Sequence, residues 1–169
     1  ADINDTMFGE TVAHGCPFRR AWEDGCLIND KVFQIGLRGT GYAPEDFDWA
    51  RGQGWTVVQA EECWGKSLTG RMAQVRAKIG NAPVSITYDI DSLAPAFAPG
   101  TGTVEPGGLS TWQALEIIRG CQGLSIVGGD LGRIGRRLAR TLEAHRPGRG
   151  PGNGIALGVG DGDHGVVEA

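Results

Sequence analysis

Pro83-Val84-Ser85-Ile86-Thr87-Tyr88-Asp89-Ile90-Asp91 is the stretch on which the fold turns. It is short, rich in β-forming residues and almost free of charge until it ends on two aspartates, which reads as a strand over Pro83–Ile90. Residues i and i+2 of a strand share a face, so Asp89 and Asp91 are expected to project together from its C-terminal end. Two carboxylates that close repel unless a cation neutralises them or they share a proton. Carboxylate oxygens suit hard divalent ions such as Mg, Ca and Mn. The Asp-x-Asp spacing taken alone is weaker, and favours one capping aspartate and one solvated aspartate.

Strand and helix patterns alternate outward from this stretch. Pro17–Trp22 reads as a helix with Phe18, Ala21 and Trp22 on one face, ended by Gly25. Lys31–Arg38 reads as a strand, Pro44–Arg51 as a short helix with Pro in its first turn, and Trp55–Gln59 as another strand. Leu68, Met72, Val75 and Ile79 recur at i, i+4, i+7 and i+11, the apolar stripe of an amphipathic helix with Gly80 beyond it. On the far side of Asp91, Ser110 and Gln113 form a capping box for a helix to about Arg119, with Gly120 as its C-cap, and Leu124–Gly128 reads as a fourth strand. Strands separated by helices imply a three-layer α/β/α fold around a mostly parallel sheet. Ligands in such sheets bind outside the carboxyl ends of the strands, where Asp89 and Asp91 stand.

Composition bounds the rest. The 169 residues, 40% hydrophobic and 21% charged, are ordinary for one globular domain. A net charge of -4 does not favour nucleic acid or an acidic membrane face. No apolar run is long enough to span a membrane. Cys16, Cys26, Cys63 and Cys121 lie far apart with no Cys-x-x-Cys pair, which argues against structural zinc and for reduced, mostly buried thiols. A cytoplasmic location is expected. From Gly132 to Ala169 there are ten glycines, six arginines, no lysine and no aromatic residue, a poor composition for a packed core. The organised part is therefore expected to be 1–131. The run Gly132-Arg133-Ile134-Gly135-Arg136-Arg137 lacks the aromatics that stack on bases, and Asp161-Gly162-Asp163-His164 reads as solvated.

The residues after Asp91 make the aspartate pair more specific. Asp89-Ile90-Asp91-Ser92-Leu93-Ala94-Pro95-Ala96-Phe97-Ala98-Pro99-Gly100-Thr101-Gly102-Thr103-Val104-Glu105-Pro106-Gly107-Gly108-Leu109 closely resembles a signature of the ureohydrolase family, which comprises arginase, agmatinase and related guanidino-acid hydrolases. Its Pro and Gly content suits a rigid, nonhelical loop that lets backbone approach a ligand closely. Ala1-Asp2-Ile3-Asn4-Asp5 resembles the end of the family's Asp-x-His-x-Asp segment, with Asp2 as its final Asp. Met7-Phe8-Gly9-Glu10, His14-Gly15-Cys16-Pro17-Phe18-Arg19-Arg20, Gln113 to Gly120, and Gly129-Asp130-Leu131 are similar to the agmatinase branch.

The resemblance implies an arginase-like fold and a guanidino hydrolase in which two manganese ions activate a hydroxide. It attacks the guanidinium carbon of agmatine or guanidinobutyrate, giving urea and an amine. It implies that Asp2, Asp89 and Asp91 are metal ligands, that His14 shuttles a proton, and that the intact protein is a trimer or hexamer. The partner is then a small guanidino compound, with no nucleic acid and no membrane. Several features depart from the family. Ala94 and Val104 replace the usual Asp and Pro. Gly132-Arg133 replaces a Val-Glu pair whose glutamate lies near the guanidinium, and a cation there repels the substrate. Further metal ligands would precede Ala1. The expectation is thus a catalytically inactive fragment of the enzyme, incomplete at its start. Residues 132–169 are expected to be a non-family tail, frameshifted or disordered.

Overall fold

The computed structural model describes residues 1–39, 46–132 and 164–168. In chain order these form α1 (Pro17–Glu23), β1 (Leu27–Leu37), α2 (Asp46–Gly52), β2 (Thr56–Gln59), α3 (Ala60–Cys63), α4 (Thr69–Ile79), β3 (Pro83–Asp89), a 3-10 turn (Ile90–Ser92), α5 (Thr111–Gly120), β4 (Ser125–Gly132) and β5 (His164–Glu168). The strands make one sheet in the order β2-β1-β5-β3-β4, with every described pairing parallel.

Alternation along β1 explains the layers. Phe33 and Ile35 enter one apolar cluster, with Met72, Val75 and Ile79 of α4 and Ile117 of α5. Val32 enters a second cluster, with Phe18 of α1, Ala50 of α2 and Trp55. Successive side chains of a strand point to opposite faces, so α4 and α5 cover one face of the sheet and α1 and α2 the other. The three-layer α/β arrangement follows from that alternation. The Leu68–Ile79 stripe is buried as its spacing requires, and Gly80 ends α4 at φ 62°.

Several boundaries differ from the sequence reading. β1 begins at Leu27, four residues before Lys31, because Asn29 and Asp30 are exposed rungs and not a break. β4 runs on to Gly132. α3 is a single added turn, its start closed by the Gln59 amide donating to Glu62. Pro44 lies outside the described residues.

The segment after Leu131 departs further from expectation. Gly132 pairs with Asp89, and His164–Glu168 lies between β1 and β3, paired to both. The Gly-Arg-rich average of 132–169 conceals Val166-Val167, two adjacent β-branched residues that favour extended backbone. A strand there also supplies hydrogen-bond partners to the facing edges of β1 and β3, which are costly to bury unpaired. Residues 133–163, including Arg133 and Asp161 to Asp163, lie outside the described residues.

α4 and α5 are joined by polar contacts at their ends. The Glu116 carboxylate accepts from the Leu68 amide at 2.7 Å and from the Ser67 hydroxyl at 2.8 Å, capping α4 from a different helix. The Leu68 bond, above all, holds the Glu116 pKa below the usual carboxylate value. A depressed carboxylate pKa contributes stability above the unfolded-state value, and that contribution disappears as pH falls through the folded value. Glu116→Gln is therefore expected to flatten the acid side of the stability profile. Urea unfolding midpoints from neutral pH down through the carboxylate range check this, and equal acid slopes in wild type and variant would refute it.

An open apolar groove of about 1000 Å³ lies beside β4, with Tyr88, Leu115, Ile118 and Ile126 in its walls. Its lining is mostly apolar, with Asp130 as its one charged residue, whose carboxylate accepts from Thr87. The polar margin at the end of β3 is the better candidate.

Candidate active site

The site is built where β3 stops. Asp89 is the last residue of the strand and caps the turn that follows, its carboxylate accepting from the Asp91 amide at 3.0 Å. Asp91 is therefore not the next inward rung of the strand. The 3-10 turn carries it, and the geometry drawn from strand alternation is corrected to a capped turn. The pair stays adjacent, because Asp89 holds the backbone from which Asp91 springs. Both side chains are half-buried. A short aspartate capping its own i+2 amide is a local pattern that Asp-Ile-Asp-Ser itself offers.

After Asp91 the chain makes a closed loop. The Leu109 amide donates to Ser92 O at 2.8 Å and the Ala94 amide to Leu109 O at 2.9 Å, so the two ends meet. Gly108 allows this closure: a Cβ there would lie 2.5 Å from the Leu93 carbonyl carbon. The Thr103 hydroxyl reaches back to donate to Asp91. Arg38, at the end of β1, donates to Glu105 O and Leu93 O. Burial lowers the Arg38 pKa, while the charges of Glu105 and Asp91 oppose that shift. The Trp64 indole donates to Gly107 O at 2.8 Å. Across the sheet the Thr87 hydroxyl donates to Asp130 at 2.8 Å. Thr103, Arg38 and Trp64 escaped the sequence reading of the site. Only Thr103 lay within the quoted signature.

The N-terminal candidates sit on another part of the scaffold. Asp2 adopts φ 50°, and its carbonyl accepts from the Phe18 amide at the start of α1. The Ala1 carbonyl accepts from buried Gln34 of β1 at 3.0 Å. His14 is exposed, with its ring 6.4 Å from that of Phe8. The Asp89 carboxylate thus meets the Asp91 backbone, and among the described residues Asp2 does not complete a three-ligand group with them. Among the described residues no group of three or more His, Cys, Asp or Glu side chains converges for a metal ion. This donor set does not fit two ions. The four cysteines are free, and burial raises the thiol pKa of Cys63 and Cys121, which keeps both protonated and unreactive.

The sequence profile of the Arginase family matches residues 1–134, from before α1 to two residues past β4. The chain belongs to the arginase family. The match takes in the Asp89–Leu109 loop, Asp2 and His14. Among similar proteins of this family are the guanidinobutyrase of Pseudomonas aeruginosa, 63% identical over 131 residues, and the mitochondrial agmatinase of Gallus gallus, 55% identical over 130. These alignments cover 78% and 77% of this chain but 41% and 38% of the relatives, so the chain spans about two fifths of their length. Among solved structures, the proclavaminate amidino hydrolase of Streptomyces clavuligerus superposes with a TM-score of 0.75 at 37% identity, over 81% of this chain and 46% of that one. The arginase-like α/β fold and the agmatinase-like branch read from the sequence therefore stand. No described helix is long and apolar enough to cross a membrane.

Proposed function

We propose that this arginase-family chain carries part of the active site of a guanidino hydrolase, and that guanidinobutyrate is the preferred substrate with agmatine second. The observation that carries the proposal is the 63% identity to a guanidinobutyrase across the segment holding the Asp89–Leu109 loop. In the reaction a water oxygen adds to the guanidinium carbon. The bond from that carbon to the alkyl-bearing nitrogen breaks, and urea and a protonated amine depart. Asp89 and Asp91 supply negative charge at the sheet margin, where a cationic substrate or a metal ion is attracted. Two manganese ions, with Asp2, Asp89 and Asp91 among their ligands and His14 as proton carrier, belong to this proposal through the family resemblance. They require donors beyond those that the described residues bring together.

That shortfall favours a second statement: the chain alone does not turn over. Its partner would be the remainder of the same family domain, and assembly as a trimer or hexamer belongs to the intact protein. The decisive measurement is urea release from guanidinobutyrate and agmatine with Mn2+, by this chain and by a version extended with the upstream family segment. The expected result is none from the first and release from the second. Release by the unextended chain would overturn the incomplete-site statement, and failure of both proteins on both substrates would overturn the hydrolase assignment.

A further inference from the structure

We propose that Arg38 is a positioning residue for the Asp89–Asp91 pair, acting through the loop that follows it. The inference rests on the site reading above but uses contacts which that reading does not require. Arg38 stands just past the end of β1, on a different strand from the aspartates. Its Nη2 donates to Leu93 O at 3.1 Å, and its Nε and Nη2 donate to Glu105 O at 3.0 and 2.8 Å. Leu93 is two residues after Asp91, and Glu105 is two residues after Thr103, whose hydroxyl donates to Asp91. One guanidinium therefore grips the departing and returning limbs of the loop and sets the reach between Asp91 and Thr103.

The chemistry favours arginine over lysine. A planar guanidinium presents several donors in a fixed fork, so two carbonyls 12 residues apart in the chain can be held in one orientation. A lysine ammonium has the charge but not the fork. Other contacts hold the loop elsewhere. The Ser92–Leu109 and Ala94–Leu109 bonds close the base of the loop, and Trp64 holds it at Gly107. Neither contact touches the Thr103–Glu105 limb. At Gly39, next to Arg38, a Cβ would lie 3.2 Å from the Glu105 side chain, so the limb rests closely against the end of β1. Groups that orient ligating carboxylates from behind typically change metal affinity by about 10- to 100-fold when removed.

Amide hydrogen exchange on the full chain tests this in wild type, Arg38→Met and Arg38→Lys. The clamp predicts about tenfold faster exchange at Asp91 and Ala94 in the methionine variant and an intermediate increase in the lysine variant. Ile35 and Ile86, in the strands, should exchange as before. Unchanged exchange at Asp91, or equal acceleration at Ile35 and Ile86, would overturn the proposal. Mn2+ titration of the same proteins separates it from the functional reading. Binding weakened about tenfold or more in Arg38→Met supports both. Equal, measurable binding in wild type and Arg38→Met overturns the positioning role. If no protein binds Mn2+ while the exchange pattern appears, the clamp stands and the described donors alone are too few to hold the ion.

Discussion

Gly108→Ala is expected to destabilise the chain by about 3 kcal/mol and to open the loop that follows Asp91. An ideal Cβ at this position lies 2.5 Å from Leu93 C, 2.6 Å from Ala94 N and 2.7 Å from Leu93 O. These are backbone atoms, so no side-chain rotation relieves the contact. The two limbs must separate where the Leu109 amide meets Ser92 O and the Ala94 amide meets Leu109 O. Overpacking typically costs about 1–3 kcal/mol, and each lost hydrogen bond adds about 1 kcal/mol. Leu109, which is fully buried, would be drawn outward as well. Gly100→Ala in the same loop is the control, since nothing lies within 4 Å of its Cβ and its φ is ordinary. Urea unfolding should separate the two variants clearly. Equal midpoints would mean that the loop is not closed at its base.

That loop shows what could be read in the sequence and what could not. The resemblance over 89–109 located the site, and the capping box of Ser110 and Gln113 is formed with both of its bonds. Each is a local pattern, and local patterns survive folding when nothing distant competes with them. Asp91 was harder. Strand alternation carried through Ile90 put it on a face with Asp89, but the Asp89 carboxylate found a backbone amide two residues ahead and turned the chain. Arg38 was not legible at all, because its acceptors lie 55 and 67 positions away in the chain. No periodicity encodes which carbonyl will arrive there. β5 is not legible either, for a related reason. Its place is set by the facing edges of β1 and β3, and five residues inside a Gly-rich tail give a weak signal of their own.

The sequence pattern makes Gly120 the C-cap of α5, but it lies inside the helix and Cys121 is the cap. Its missing side chain matters for packing. A Cβ on Gly120 would sit 2.4 Å from Met72 Cβ and 2.6 Å from Met72 Cγ, where α5 crosses α4. Gly→Ala within a helix ordinarily stabilises by up to about 1 kcal/mol, and less in a last turn. The clash outweighs that gain. Forcing the helices apart costs about 1–3 kcal/mol, and it strains the 2.6 Å bond that Arg76 donates to Gly120 O. Gly120→Ala is therefore expected to destabilise by about 2 kcal/mol net. Gly70→Ala in α4, with nothing within 4 Å, should be neutral or stabilising. Met72→Ala would not rescue Gly120→Ala, because alanine keeps the Cβ that makes the nearest contact. The double variant should remain less stable than Met72→Ala alone, which itself loses about 2–5 kcal/mol through the cavity it leaves. Chemical denaturation of the four proteins decides the matter. If Gly120→Ala matched Gly70→Ala in sign, α4 and α5 would not be in the close contact that fixes the covered face of the sheet behind Asp89.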